Sequence, residues 1–247
     1  FKKMLYEHKS QLKTLSKNES SSLIYDLLIL LSSETKTQQD QIFYTFMNKI
    51  VDFLSRSCTT HLNHKTVKLN NYLLFIIKRI LVFYEDNEER LKTSTLRKKS
   101  LREMQILVEK TGIIEACMNL CRGFDVPEIK EMLPHIFALF CRILKKGNSN
   151  SQEAFYSIFT MRNKYELVFS FMLDTVSNKM NYILSNKSKI LKHKKRKISF
   201  ENKIFFNNNE SNLDSKILQF LQLLCENHNR KLQLYLHSQN NFRKSYD

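Results

Sequence analysis

Three glycines and two prolines in 247 residues leave this chain nearly without the residues on which tight turns depend. Glycine reaches positive φ at little cost and proline fixes φ, so hairpin-rich folds use both repeatedly. Together they average about 12% of a globular chain. An all-β sandwich, barrel or propeller is therefore excluded, and long helices with polar connectors are expected. A glycine-rich phosphate loop is excluded as well, since the two nearest glycines are Gly112 and Gly123. The first residue is Phe1 rather than methionine, so we expect a fragment or a processed product.

Hydrophobic residues make up 42% of the chain, enough for a packed core. No run of about 18 uncharged apolar residues exists that could span a bilayer as a helix. Leu23 to Leu31 is interrupted by Asp26, and Tyr72 to Tyr84 by Lys78 and Arg79, so both read as buried helices. The basic start Phe1-Lys2-Lys3 is not followed by a signal-peptide core. Five cysteines, an odd number spread through a lysine-rich chain, point to free thiols in a reducing compartment. A cytosolic piece is expected.

Apolar residues recur at helical spacing along nearly the whole chain. One stripe is Leu23, Leu27, Leu30 and Leu31; the next is Ile42, Phe43, Phe46, Ile50, Phe53 and Leu54. Leu69, Leu73, Ile76, Ile77, Ile80 and Phe83 follow, then Leu101, Met104, Ile106 and Leu107. Polar breakers separate them at Ser32-Ser33-Glu34-Thr35, Thr59-Thr60, Asn87 and Thr93-Ser94-Thr95.

Punctuation is sharpest between residues 111 and 160. Thr111-Gly112 opens a short helix that ends at Arg122-Gly123, where glycine suits a left-handed C′ position. Pro127 stands near the next helix start, which runs to Lys145-Lys146 and stops at Gly147-Asn148. Another helix follows Asn148-Ser149. This rhythm indicates an all-α fold, an armadillo- or HEAT-like α-solenoid of stacked helix pairs with about 40 to 47 residues per unit.

The pattern fails from Asn186 to Asn212. Seven of the formal +16 charges fall between Lys187 and Lys197, with no acid among them. We read 186–212 as a disordered basic linker. Four regions result: 1–100, helical but unassigned; 101–185, the repeat block; the linker; and 213–247, where helix resumes with Asp214 as an N-cap candidate and continues to about His237.

Motifs for chemistry are sparse. Cys58-x-x-His61-x-x-His64 has three potential metal ligands but no partner pair at zinc-site spacing, and a polar helix end is the better reading. Cys117 and Cys121 lack the Cys-x-x-Cys spacing of a redox pair and read as small buried residues. No nucleophile elbow, zincin or kinase signature occurs, so no enzyme is expected. The run 187–197 could bind phosphates, act as a nuclear localisation patch or meet acidic lipids. Aromatic residues join it only at Phe200, Phe205 and Phe206, so base stacking is poorly supported and nucleic acid is not expected as a partner. Ser199 follows basic residues of the kind many kinases favour.

In the last helix, Ile217, Leu221, Leu224, His228, Leu232 and Tyr235 share one expected face, opposite a polar stripe of Gln222, Glu226, Asn229 and Gln233. The string Leu221-Gln222-Leu223-Leu224-Cys225-Glu226-Asn227-His228-Asn229, with Leu232-Gln233, Tyr235-Leu236 and Gln239-Asn240-Asn241, closely resembles inositol trisphosphate receptors and, more loosely, ryanodine receptors. The block 111–160 is similar too, with its Gly-Ile-Ile helix, a Leu-x-x-Gly-Asn helix end, and Gln152, Phe155, Tyr156 and Phe159. A variable charged linker between the two elements also matches. The resemblance is strong over 216–241, moderate over 101–183 and not traceable by eye over 1–100.

The resemblance implies a cytosolic regulatory and coupling segment of a ligand-gated intracellular Ca²⁺-release channel, at the endoplasmic reticulum or another store membrane, with 213–247 opening the RIH-associated helical domain. It implies that Glu226 is one ligand of a regulatory Ca²⁺, the other ligands lying beyond Asp247. Inositol trisphosphate would bind elsewhere in the full chain, the membrane would be met through regions outside residues 1–247, and the partners would be other regions and subunits of a homotetramer. The rival reading is a soluble helical-repeat scaffold that binds nucleic acid or an acidic partner through 187–197.

Overall fold

The structure, a computed structural model, describes residues 36–58, 62–86, 100–161, 164–193 and 213–243. Among these residues there are helices and no strands, as the scarcity of glycine and proline requires. The helices are α1 (Lys36–Ser57), α2 (His64–Asp86), α3 (Leu101–Glu109), α4 (Ile113–Cys121), α5 (Pro127–Leu144), α6 (Ser149–Thr160), α7 (Glu166–His193), α8 (Leu213–Leu224) and α9 (Arg230–Arg243), with a 3-10 turn at Glu226–His228 between the last two. No described helix is long and apolar enough to cross a membrane.

The helices stack with a period of three. α2 packs on α5 and α5 on α8; α3 packs on α6 and α6 on α9; α1 packs on α4. The solenoid-like all-α class is as expected, but its unit is a triplet rather than a pair. At the centre lies α5, in contact with α2, α3, α4, α6 and α8. Ten of its eighteen residues are buried, among them Met132, Leu133, Ile136, Phe137 and Phe140, too many for one apolar stripe. Pro127 occupies its first turn, where the missing N–H costs nothing.

Local chemistry sets the boundaries. Ser100 caps α3 in a reciprocal capping box with Glu103. Asn148 caps α6 by accepting from the N–H groups of Asn150 and Ser151. Gly147 has φ +61° and Lys146 φ +62°, so the α5–α6 turn passes through two consecutive left-handed residues. Gly123, expected in that conformation, does not adopt it; it leaves room for Ile129, whose Cγ1 would lie 3.2 Å from an added Cβ.

Several expected faces are rotated. On α2 the buried line is Val67, Asn70, Leu74, Ile77, Ile80 and Leu81, while Leu69 is exposed, because the helix turns its Val67–Leu74–Leu81 edge onto α5. Met47 joins Phe43, Ile50 and Leu54 in the core of α1. Helix α7 continues to His193, so the first eight residues of the expected linker are helical; lysine is a good helix former, and a charge run does not by itself end a helix. Residues 194–212, with Ser199, lie outside the described residues.

Candidate functional site

Residues 213–237 were expected as one helix, and the chain breaks it. Asn227 and His228 both have φ +57°, left-handed values that a helix cannot contain. α8 therefore ends at Leu224, and α9 starts afresh at Arg230 with Asn229 as its cap, the side-chain oxygen accepting from Leu232 N at 3.2 Å. The expected stripe through Gln222, Glu226, Asn229 and Gln233 does not form, and His228, placed on the apolar face by periodicity, is exposed.

A helix end leaves carbonyls without partners, and here another helix supplies them. Gln152 on α6 is 2% exposed. Its Nε2 donates to Leu223 O and to Glu226 O, both at 3.0 Å, while its Oε1 accepts from Asn229 Nδ2 at 3.1 Å. One amide thus holds the end of α8, the intervening turn and the cap of α9. Gln233 Nε2 donates to Cys225 O at 3.2 Å, which satisfies a further carbonyl.

The seat beneath the break is the α5–α6 turn. Asn227 Nδ2 donates to Gly147 O at 3.2 Å, and a Cβ on Gly147 would come within 1.9 Å of that nitrogen. Glycine is required there twice over, by backbone conformation and by contact. Around this joint runs a continuous aromatic seam. Phe220 of α8 sits against Phe137, Phe140 and Phe155 at centroid distances of 5.5, 5.4 and 5.1 Å. Tyr235 of α9 stacks on Phe159 at 5.9 Å and donates its hydroxyl to Phe159 O at 2.9 Å. Burial holds the Tyr235 phenol above its usual pKa, in keeping with that donor role. At the rim, Lys231 pairs with Glu153 at 2.9 Å and lies over the Tyr156 ring.

Glu226, the expected Ca²⁺ ligand, stands on the 3-10 turn with its residue exposed and its carbonyl tied to Gln152. Among the described residues no group of three or more His, Cys, Asp or Glu could hold a metal ion. Glu226 therefore stands among them without the further carboxylates that would help make up the six to eight oxygens Ca²⁺ takes. Of the Cys58–His61–His64 set, Cys58 is exposed at the end of α1, His64 begins α2, and His61 lies outside the described residues. Cys117 and Cys121 are buried on α4, as their spacing indicated. Of the basic run 187–197, residues 187–193 are on α7 and the remainder lie outside the described residues.

Sequence reading missed Gln152 as the organising side chain of this joint, and it missed an equivalent residue, Gln105 on α3. Gln105 Nε2 donates to Arg142 O at 2.9 Å and Lys145 O at 3.0 Å, the carbonyls that end α5. Arg102 bonds Ser149, 47 residues further on, and Gln105 and Gln152 are separated by the same interval. Each triplet is thus closed by a buried glutamine from its first helix to the carbonyl end of its third. A glutamine repeated at that interval is the signal that could have found both.

The family model described as RyR and IP3R Homology associated matches residues 208–247. The match covers α8, the break and α9, and it supports at domain level the ryanodine- and inositol trisphosphate-receptor type of protein for this segment. No curated protein matches the chain.

Proposed function

We propose, from the family match over 208–247, that this chain is a cytosolic coupling segment of an intracellular Ca²⁺-release channel of the inositol trisphosphate receptor type. The observation that carries the reading is the joint: the matched segment is held to α6 and to the α5–α6 turn by Gln152 and Gly147 at the point where its helix breaks. Stacked, close-packed helices move as bodies, so a shift of the repeat block is delivered to α8–α9 through this seat. Inositol trisphosphate would bind elsewhere in the full chain, and the assembly would be a homotetramer in the store membrane.

Glu226 supplies one ligand of the regulatory Ca²⁺, and regions outside residues 1–247 supply the rest. Its carbonyl is bonded to Gln152, so an ion held by its carboxylate senses where the break sits relative to the repeat block. Ca²⁺ then biases the channel only if it binds one arrangement better than the other. The test is Glu226→Gln in the full-length channel, with Ca²⁺ release from loaded microsomes recorded against cytosolic Ca²⁺. Activation should shift to higher Ca²⁺ with expression unchanged. An unchanged activation curve removes Glu226 from the mechanism, and a full-length chain without membrane-spanning segments removes the channel reading.

A further inference from the structure

Between Leu213 and Arg243 there is neither glycine nor proline, so every residue of the break after Leu224 is able to take helical dihedrals. Asn227 and His228 are left-handed nonetheless, a conformation that a residue with a Cβ holds at a cost. What holds them comes from outside the segment. Gln152 of α6 donates to Leu223 O and Glu226 O and accepts from Asn229 Nδ2, while Asn227 Nδ2 donates to Gly147 O. In an uninterrupted helix Leu223 O and Glu226 O would instead accept from the chain's own amides, those of Asn227 and Arg230. Cys225 O, now taken by Gln233 Nε2, would accept from the Asn229 amide. These carbonyls are therefore satisfied in either arrangement, by side chains in one and by backbone in the other. Leu224, His228 and Leu232 also stay in helical phase across the break, which a fixed joint does not need.

We propose that α8 and α9 form a two-state element: seated, they make the broken joint, and when Gln152 is drawn away they fuse into one continuous helix. α8 stays in place in both states, because Phe220 is buried among Phe137, Phe140 and Phe155. α9 moves. In the joint it folds back, since Gln233 Nε2 reaches Cys225 O at 3.2 Å across eight residues, which a helix would space about 12 Å apart along its axis. Fusing carries α9 off α6, uncovers the fully buried Leu232 and parts Tyr235 from Phe159 and Phe169. That lost burial opposes the relief of two left-handed residues, so the joint is the resting state and release of Gln152 tips the balance. A displacement of α6 against α5 is thereby converted into a swing of α9.

The experiment uses the full 247-residue chain with spin labels on ketone-bearing residues at the exposed positions 219 and 237, and reads their separation by pulsed electron resonance. A continuous helix sets these positions about 27 Å apart on one side of its axis. The parent should give a single shorter distance, because α9 folds back. Gln152→Ala/Asn227→Ala/His228→Ala removes the clamp and replaces both left-handed residues with the best helix former. In it a narrow population at the helical spacing should become the major one, a rise of at least about tenfold over the parent. In Gln152→Ala/Asn227→Gly/His228→Gly, where glycine accepts the left-handed region and disfavours helix, that population should be absent. Protection of the α2 amides against hydrogen exchange checks that the body is folded; if the alanine chain fails there, Gln152→Ala alone is compared with the parent. A variant that keeps only the parent's distance overturns the proposal. So does a broad distribution without the helical spacing, which means that α9 frays, or a helical population of equal size in the glycine chain.

Discussion

Replacing Gln152 with alanine removes three hydrogen bonds at once, two donated at 3.0 Å and one accepted at 3.1 Å. Each contributes about 0.5–1.5 kcal/mol net, and orphaned buried groups cost more. Leu223 is partly buried, whereas Glu226 is at the surface, where water re-satisfies its carbonyl. The expected loss is therefore about 2–3 kcal/mol. It should be local, because Gln152 fastens α8–α9 rather than the centre of the core. The assay is native-state hydrogen exchange read by mass spectrometry. Amides of α9 should exchange about 30- to 150-fold faster in Gln152→Ala, and those of α2 should keep their rates. Gln152→Glu is the sharper variant, nearly isosteric yet presenting a buried carboxylate to two carbonyls without a donor. It should loosen α9 more than alanine does at neutral pH. Less than threefold acceleration in Gln152→Ala, or a Gln152→Glu that protects α9 as well as glutamine, would refute the role given to this side chain.

Gly147→Ala should cost about 2 kcal/mol in denaturant unfolding, one part for a left-handed alanine and one for the displaced Asn227 side chain. In an Asn227→Gly background the second part is absent, so the penalty should fall to about 1 kcal/mol; equal penalties in both backgrounds would show that the two residues do not touch. The buried thiols give a pH dependence. Burial pushes Cys117 and Cys121 well above the ordinary 9.0 and Cys141 up to about 12. A raised folded-state pKa stabilises the fold below the unfolded value and loses that contribution as pH rises through the folded one. Stability should therefore fall between about pH 9 and 12, with one proton per pH unit (about 1.4 kcal/mol) of the slope removed in Cys141→Ala. An unaltered slope in that variant contradicts the assignment.

Much of the architecture was legible because glycine and asparagine mark where the chain must turn. Gly147-Asn148 announced the end of α5 and the cap of α6, and both are there. The break after Leu224 was hidden for a physical reason. Leu224, His228 and Leu232 keep helical phase across it, so periodicity runs on where the backbone does not. Asn227 is a side chain that tolerates the left-handed region, but the need for it arises from Gly147, eighty residues earlier. The triplet period was obscured in a similar way, because segments of unequal length separate corresponding helices. Gln105 was not singled out and Gln152 entered only through the family resemblance, since what makes a buried amide acceptable is the carbonyl end of another helix, and that exists only in the fold.

The seat for α8 and α9 is built from side chains on α5, α6 and α7, so the last segment is fastened by direct contact with the helices beneath it. In the language of engineering, the last segment is a plug and the surface made by α5, α6 and α7 is its socket.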